Sequence, residues 1–140
     1  MKLKTLIIDD HPASIALLEN LLAEHCTCFS ATSGEEGLAL FAEAHKSSEP
    51  FDVVLLDILM PDLDGIETLK RMRKIELADR EVQLFGKRDG LARIIMQTSS
   101  DSPQDFMDSY LKGRCNGFIL KPYSKEEIVE KVLGRHAHFA

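Results

Sequence analysis

The chain has 140 residues, the size of a single domain built on one core. Lys and Arg number 17 against 23 Asp and Glu, and the resulting charge of −6 argues against a nucleic-acid footprint, which needs a basic face. With 29% charged and 44% hydrophobic residues, the composition excludes a disordered or collagen-like chain, and no run approaches the ~18 apolar residues of a membrane span.

Short apolar runs alternate with amphipathic segments. Leu3 to Ile8 is the first expected strand; it ends at Asp9-Asp10, too soon for the apolar region of a signal peptide. Pro12 suits a first helical turn, and Ile15, Leu18, Leu21 and Leu22 follow at helix spacing. Cys28 to Ala31 reads as a weak second strand, and Ser33-Gly34-Glu35-Glu36 as a capping box ahead of Leu38 and Phe41. Asp52 to Asp57 is a third strand whose unbroken apolar centre implies burial on both faces. Ile66, Leu69 and Met72 mark a third helix, and Ala92 to Gln97 a fourth strand. A helix opening at Ser102-Pro103 carries Phe106, Met107, Tyr110 and Leu111; Gly117 to Leu120 is a short fifth strand. Ser124-Lys125-Glu126-Glu127 is a second capping box, before Ile128, Val129, Val132 and Leu133. A strand–helix unit repeated five times implies an α/β fold, a doubly wound parallel sheet with right-handed crossovers. The whole chain, 1–140, reads as one domain, with an insertion at about 76–91 that exceeds the ~2–6 residues of an ordinary α/β connection.

The residues after each strand carry the chemistry. Asp9-Asp10, Asp57, Thr98-Ser99 and Lys121-Pro122 follow strands one, three, four and five. Ligands of open parallel sheets bind outside the carboxyl ends of the strands. One Asp at a strand end is commonly a helix cap or turn residue, and a lone Thr or Lys means little. The joint pattern carries the weight: three carboxylates, a hydroxyl and an ammonium group converge on one edge. Such carboxylates repel one another unless a cation sits among them, and Mg²⁺ suits an all-oxygen set. Metal, lysine and hydroxyl around a carboxylate cradle a phosphoryl group.

On these residues the chain resembles the response-regulator receiver domains of two-component signalling. The matching pieces are Asp9-Asp10 after LII, Asp57 in LLDILMPDLDG, Thr98-Ser99 after IIMQ and Lys121-Pro122 after GFIL. The resemblance implies the flavodoxin-like strand order 2-1-3-4-5. It implies Asp57 as phosphoacceptor, and Mg²⁺ on Asp9, Asp10, Asp57 and the backbone carbonyl of Leu59. It also implies Thr98 and Lys121 as phosphoryl ligands, a cis Lys121–Pro122 bond, and Thr98 with Phe118 as a switch; Phe118 reads equally as a core residue. The implied donor is a histidine kinase or histidine phosphotransfer protein. Output then goes to a protein target on the face from Pro103 to Leu133, the fourth helix, fifth strand and fifth helix, or onward by phosphorelay. The resemblance implies a Mg²⁺-dependent phosphoacceptor with slow self-catalysed dephosphorylation, not an enzyme, acting in the cytoplasm without nucleic acid or membrane.

Asp57 and Thr98 stand 41 residues apart, about ten more than the receiver pattern, and the excess falls in 76–91. The third helix runs away from the active edge, so this insertion belongs at the opposite pole as loop decoration. Two positions that tune phosphoryl lifetime in the family are Leu59 and Ser100, neither an acid or amide. His11 reads as a rim residue, His136-x-His138 as a frayed tail, and Tyr123 stays open between surface and partner contact. Cys26, Cys28 and Cys115 show no C-x-x-C and no fourth zinc ligand; they read as reduced thiols. A haloacid-dehalogenase-type phosphohydrolase would carry D-x-D after the first strand, where this chain has adjacent aspartates. A pseudo-receiver would lack a site residue, and here all are present.

Overall fold

A computed structural model describes residues 2–60, 63–79, 91–98, 108 and 114–134 of the protein. The described strands are β1 (Leu3–Ile8), β2 (Cys26–Ala31), β3 (Val53–Asp57), β4 (Arg93–Thr98) and β5 (Gly117–Leu120). Four helices are described: α1 (Pro12–Leu22), α2 (Gly34–Lys46), α3 (Gly65–Ala78) and α4 (Lys125–Leu133). The strands form one sheet in the order β2-β1-β3-β4-β5, as the family resemblance implies, with all pairs parallel, as the strand–helix alternation implies.

Alternation along the central strands explains their unbroken apolar runs. Leu6, Ile8, Val54, Leu56, Ile94 and Met96 pack on one face with Phe41 of α2 and Leu69 and Met72 of α3. Ile7, Val53, Leu55 and Ile95 pack on the other with Ile15, Leu18 and Leu22 of α1 and Ile128 and Val132 of α4. Each fully buried side chain of this kind contributes about 1.5–3 kcal/mol of transfer free energy. Both sides of the sheet being covered, its open positions lie at the strand ends.

Local signals set the helix starts. Pro12 opens α1. Asp64 caps α3 by accepting from Glu67 N at 2.9 Å. Ser124 and Glu127 form the full reciprocal box of α4, each bond 3.1 Å, and Gly134 ends that helix at φ 69°. The first expected box is only half made. Ser33 Oγ accepts from Glu36 N at 3.1 Å, but the Glu36 carboxylate accepts from Thr32 Oγ1 at 3.4 Å instead of returning to Ser33.

Other boundaries shift as well. Strand β2 starts two residues before the expected Cys28, because Cys26 pairs with Leu3 and is buried in the core. Helix α3 extends to Ala78, so Glu76–Ala78, the start of the 76–91 insertion, prolong the helix. The cause is Glu76, buried at 1% exposure, which accepts from Ala92 N at 2.6 Å and from Arg73 Nη1 at 2.7 Å. These bonds place the start of the 76–91 segment at the amino end of β4, opposite the site edge. Residues 80–90 of that segment, all but Asp108 of the helix expected from Pro103, Ser99, Ser100, His136 and His138 lie outside the described residues. Cys26, Cys28 and Cys115 are free thiols. No described helix is long and apolar enough to cross a membrane.

Candidate phosphoacceptor site

The carboxyl ends of β1 and β3 lie side by side because Ile8 pairs with Leu56. That register brings Asp9, Asp10 and Asp57 together. Ligand atoms of these three and of His11 all lie within 4.8 Å of one another. Asp9 is fully buried and Asp57 is 5% exposed. The Asp57 carboxylate is held by its own loop: Oδ1 accepts from Leu59 N at 3.1 Å. Gly65 closes the loop, its N–H on Ile58 O at 3.0 Å. A Cβ there would stand 2.2 Å from the Asp57 carbonyl oxygen, so only glycine permits this approach.

Lys121 reaches in from the end of β5. Its Nζ lies 3.1 Å from Asp9 Oδ2 and 3.7 Å from Asp57 Oδ2. The Lys121 N–H donates to Thr98 O at 2.8 Å, which ties the β5 end to the β4 end, and the Lys121–Pro122 bond is cis. Thr98 is buried at the carboxyl end of β4. Phe118 is partly buried against the core that holds Met96 and Cys115. Tyr123, left open by the sequence, donates its hydroxyl to Gln97 Oε1 at 3.1 Å. Nothing in the spacing marks this pair, since Gln97 sits inside an apolar strand.

The electrostatics are those of a cluster short of positive charge. Burial pushes the Asp57 carboxyl above its ordinary value. Asp9 and Asp10 add to that rise, while Lys121 and the Leu59 N–H oppose it. Tyr123 is pushed up to about 12, by burial first and then by Asp9 and Asp57. Asp10 Oδ1 is buried and accepts no hydrogen bond, although His11 Nδ1 stands 3.1 Å away. An unsatisfied buried carboxylate oxygen facing two further carboxylates is a lone pair open to a cation. The three carboxylates of this cluster fit a hard divalent ion such as Mg²⁺.

The family model for the response regulator receiver domain matches residues 5–133. The two-component response regulator ORR24 of rice is 30% identical over 126 residues, which is 90% of this chain and 17% of that protein. The chain thus spans less than a fifth of that relative. A CheY-like receiver domain protein from Methanospirillum hungatei superposes with a TM-score of 0.77 at 25% identity, covering 99% of this chain and 96% of the other. CheY in a CheX–CheY–BeF₃–Mg²⁺ complex from Borrelia burgdorferi also gives 0.77 at 25% identity, over 96% and 89% of the two chains. The chain belongs to the response regulator receiver domain family, the signalling domains of two-component systems.

Proposed function

We propose that residues 1–140 act as one receiver domain that accepts a phosphoryl group on Asp57, with Mg²⁺ as cofactor. The donor is a phosphohistidine of a histidine kinase or histidine phosphotransfer protein. The observation that carries this reading is the convergence of Asp9, Asp10 and Asp57 with Lys121 Nζ at the carboxyl edge of the sheet.

The ionised Asp57 carboxylate forms a bond to phosphorus as the P–N bond of the donor breaks. The electron pair stays with the donor imidazole. Asp9, Asp10, Asp57 and the Leu59 carbonyl would hold Mg²⁺. When bound, that ion supplies positive charge between the Asp57 carboxylate and the phosphoryl oxygens. Lys121 offsets further phosphoryl charge, and the Thr98 hydroxyl donates to a phosphoryl oxygen. The acyl phosphate is a signal that water slowly removes, so the domain is a phosphoacceptor and turns over no separate substrate. A cytoplasmic setting fits a kinase donor.

Thr98, drawn toward the phosphoryl group, leaves room beside β5 that Phe118 fills. The face formed by β5 and α4 then presents a changed surface to a protein target, or the phosphoryl group moves on by relay. The shift is limited by the differential affinity of the phosphoryl group for the two states.

Acetyl phosphate with Mg²⁺ adds one phosphoryl group to the wild-type chain, and Asp57→Asn abolishes the addition. Undiminished labelling of that variant overturns the assignment. Amide NMR with and without beryllofluoride tests the switch. Shifts confined to the Asp57 pocket, with none on β5, remove Phe118 from this account.

A further inference from the structure

We infer that His11 is a nitrogen ligand of the acidic pocket, one that widens its choice of metal from Mg²⁺ toward imidazole-accepting divalent ions. The inference rests on the reading of Asp9, Asp10 and Asp57 as a metal site.

Two observations point the ring at the carboxylates. His11 occupies the N-cap of α1, yet its side chain makes no capping bond to that helix. Its backbone N–H donates to Asp9 Oδ1 at 2.9 Å, and its Nδ1 lies 3.3 Å from the same oxygen and 3.1 Å from Asp10 Oδ1. The backbone bond therefore fixes the residue, and the ring folds over the acids and not over the helix end.

The spacing is that of a coordination shell. Adjacent ligands at ~2.1 Å from an octahedral ion stand about 3 Å from each other. Nδ1 meets both aspartate oxygens at that separation, and the oxygen it meets on Asp10 is the one without a hydrogen bond. The side chain is 69% exposed. Water can thus hold the ring proton at Nε2 while Nδ1 offers its lone pair, at little cost in desolvation. An imidazole nitrogen adds little for Mg²⁺, which demands oxygen, and much for ions high in the Irving–Williams order such as Ni²⁺. The pocket of this chain is then a mixed O/N site.

Mn²⁺ is the probe, added at one equivalent to the full chain without an affinity tag. Pulsed EPR of the wild type is expected to show a ¹⁴N coupling that His11→Ala and His11→Asn both lack. Ni²⁺ displaces the bound Mn²⁺ from the wild type, and the concentration needed rises about tenfold in either variant, the scale of a lost metal-supporting group. The Mg²⁺ concentration needed changes less than twofold. Mn²⁺ that binds without ¹⁴N coupling in the wild type overturns the inference and leaves the metal site standing. Equal Ni²⁺ displacement in all three proteins does the same. Failure of the wild type to bind either Mn²⁺ or Mg²⁺ overturns the metal site itself.

Discussion

The two ends of the sheet treat charge in opposite ways. At the amino ends of β4 and β5, Arg73 donates to Glu76 at 2.7 Å, Ala92 O at 2.9 Å, Asn116 Oδ1 at 2.8 Å and Arg114 O at 3.0 Å. Glu76 in turn accepts from Ala92 N, and Asn116 Oδ1 from Ile94 N at 2.7 Å. Cation and anion match one for one, and the Asn116 amide and backbone groups supply the remaining bonds. At the carboxyl ends, among the described residues, three carboxylates face a single lysine, and one buried oxygen is left without a donor. The first arrangement is complete as folded protein and stabilises it. The second is incomplete and costs stability until something positive arrives. That contrast separates a structural polar network from a binding site more sharply than the presence of charged residues does.

Breaking the complete end has the largest expected effect. Glu76→Ala leaves the Arg73 guanidinium, 14% exposed, without its counter-charge and the Ala92 N–H without its acceptor. The expected loss is about 3–5 kcal/mol in urea unfolding, the cost of uncoupling a buried pair. Glu76→Gln keeps an acceptor and loses less. Neither variant, where folded, changes phosphorylation of Asp57, because the network lies at the far end of β4. A loss below 1 kcal/mol for Glu76→Ala would mean that water replaces the carboxylate.

Relieving the incomplete end has the opposite sign. The Asp57 carboxyl is raised in the folded state, so the fold binds more protons than the unfolded chain above the ordinary value of 3.8. Stability is therefore lost as pH rises from 3.8 through the folded value, and at neutral pH the ionised group destabilises the metal-free protein. Asp57→Asn is expected to raise the metal-free melting temperature at pH 7 by a few degrees, about 1 kcal/mol, with the gain vanishing below pH 4. Mg²⁺ reverses the ranking. At a hundredfold excess over its dissociation constant it adds about 2.7 kcal/mol to the wild type by mass action. Asp10→Ala removes most of that gain. Equal melting of wild type and Asp57→Asn without metal at neutral pH would deny that the carboxylates strain each other.

The strands and the site edge were legible because both follow from short-range signals, whereas the order 2-1-3-4-5 was implied by the family resemblance. Apolar runs mark the strands, and the residues after Ile8, Leu56, Gln97 and Leu120 fall at one edge once the sheet is parallel. Cys26 was missed as the start of β2 because its burial depends on register with Leu3, which the local sequence does not encode. The burial of Glu76, at the start of the 76–91 insertion, had no local signal in the sequence. Its partners Ala92 and Arg73 are brought to it by the fold, one 16 residues away. His11 read as a rim residue, and its ring is indeed exposed, but its neighbours Asp9 and Asp10 are adjacent in sequence. An imidazole directly after paired aspartates was the available signal.

The smallest effect lies between the two ends. Tyr123 donates to Gln97 Oε1 just below the carboxylates, and Gln97 Nε2 is already buried without a partner. Tyr123→Phe leaves that amide with neither bond, at a cost of about 1 kcal/mol. The cost is pH-dependent in a defined direction. The folded phenol is raised from 10 to about 12, so the folded chain holds its proton more tightly than the unfolded chain does. The Tyr123 contribution is therefore complete below pH 10 and is lost as pH rises through about 12. Wild type and Tyr123→Phe are expected to differ by a constant amount up to pH 10 and to converge above it, measured by urea unfolding across that range. Mg²⁺ bound among Asp9, Asp10 and Asp57 weakens the repulsion that Asp9 and Asp57 exert on a phenolate, which brings the folded phenol nearer its unfolded value; less stability is then lost above pH 10, and convergence shifts to higher pH when the site is loaded. Convergence at the same pH with and without Mg²⁺ would show that burial alone holds the phenol protonated, and that the charge imbalance at this end of the sheet stops at the carboxylates.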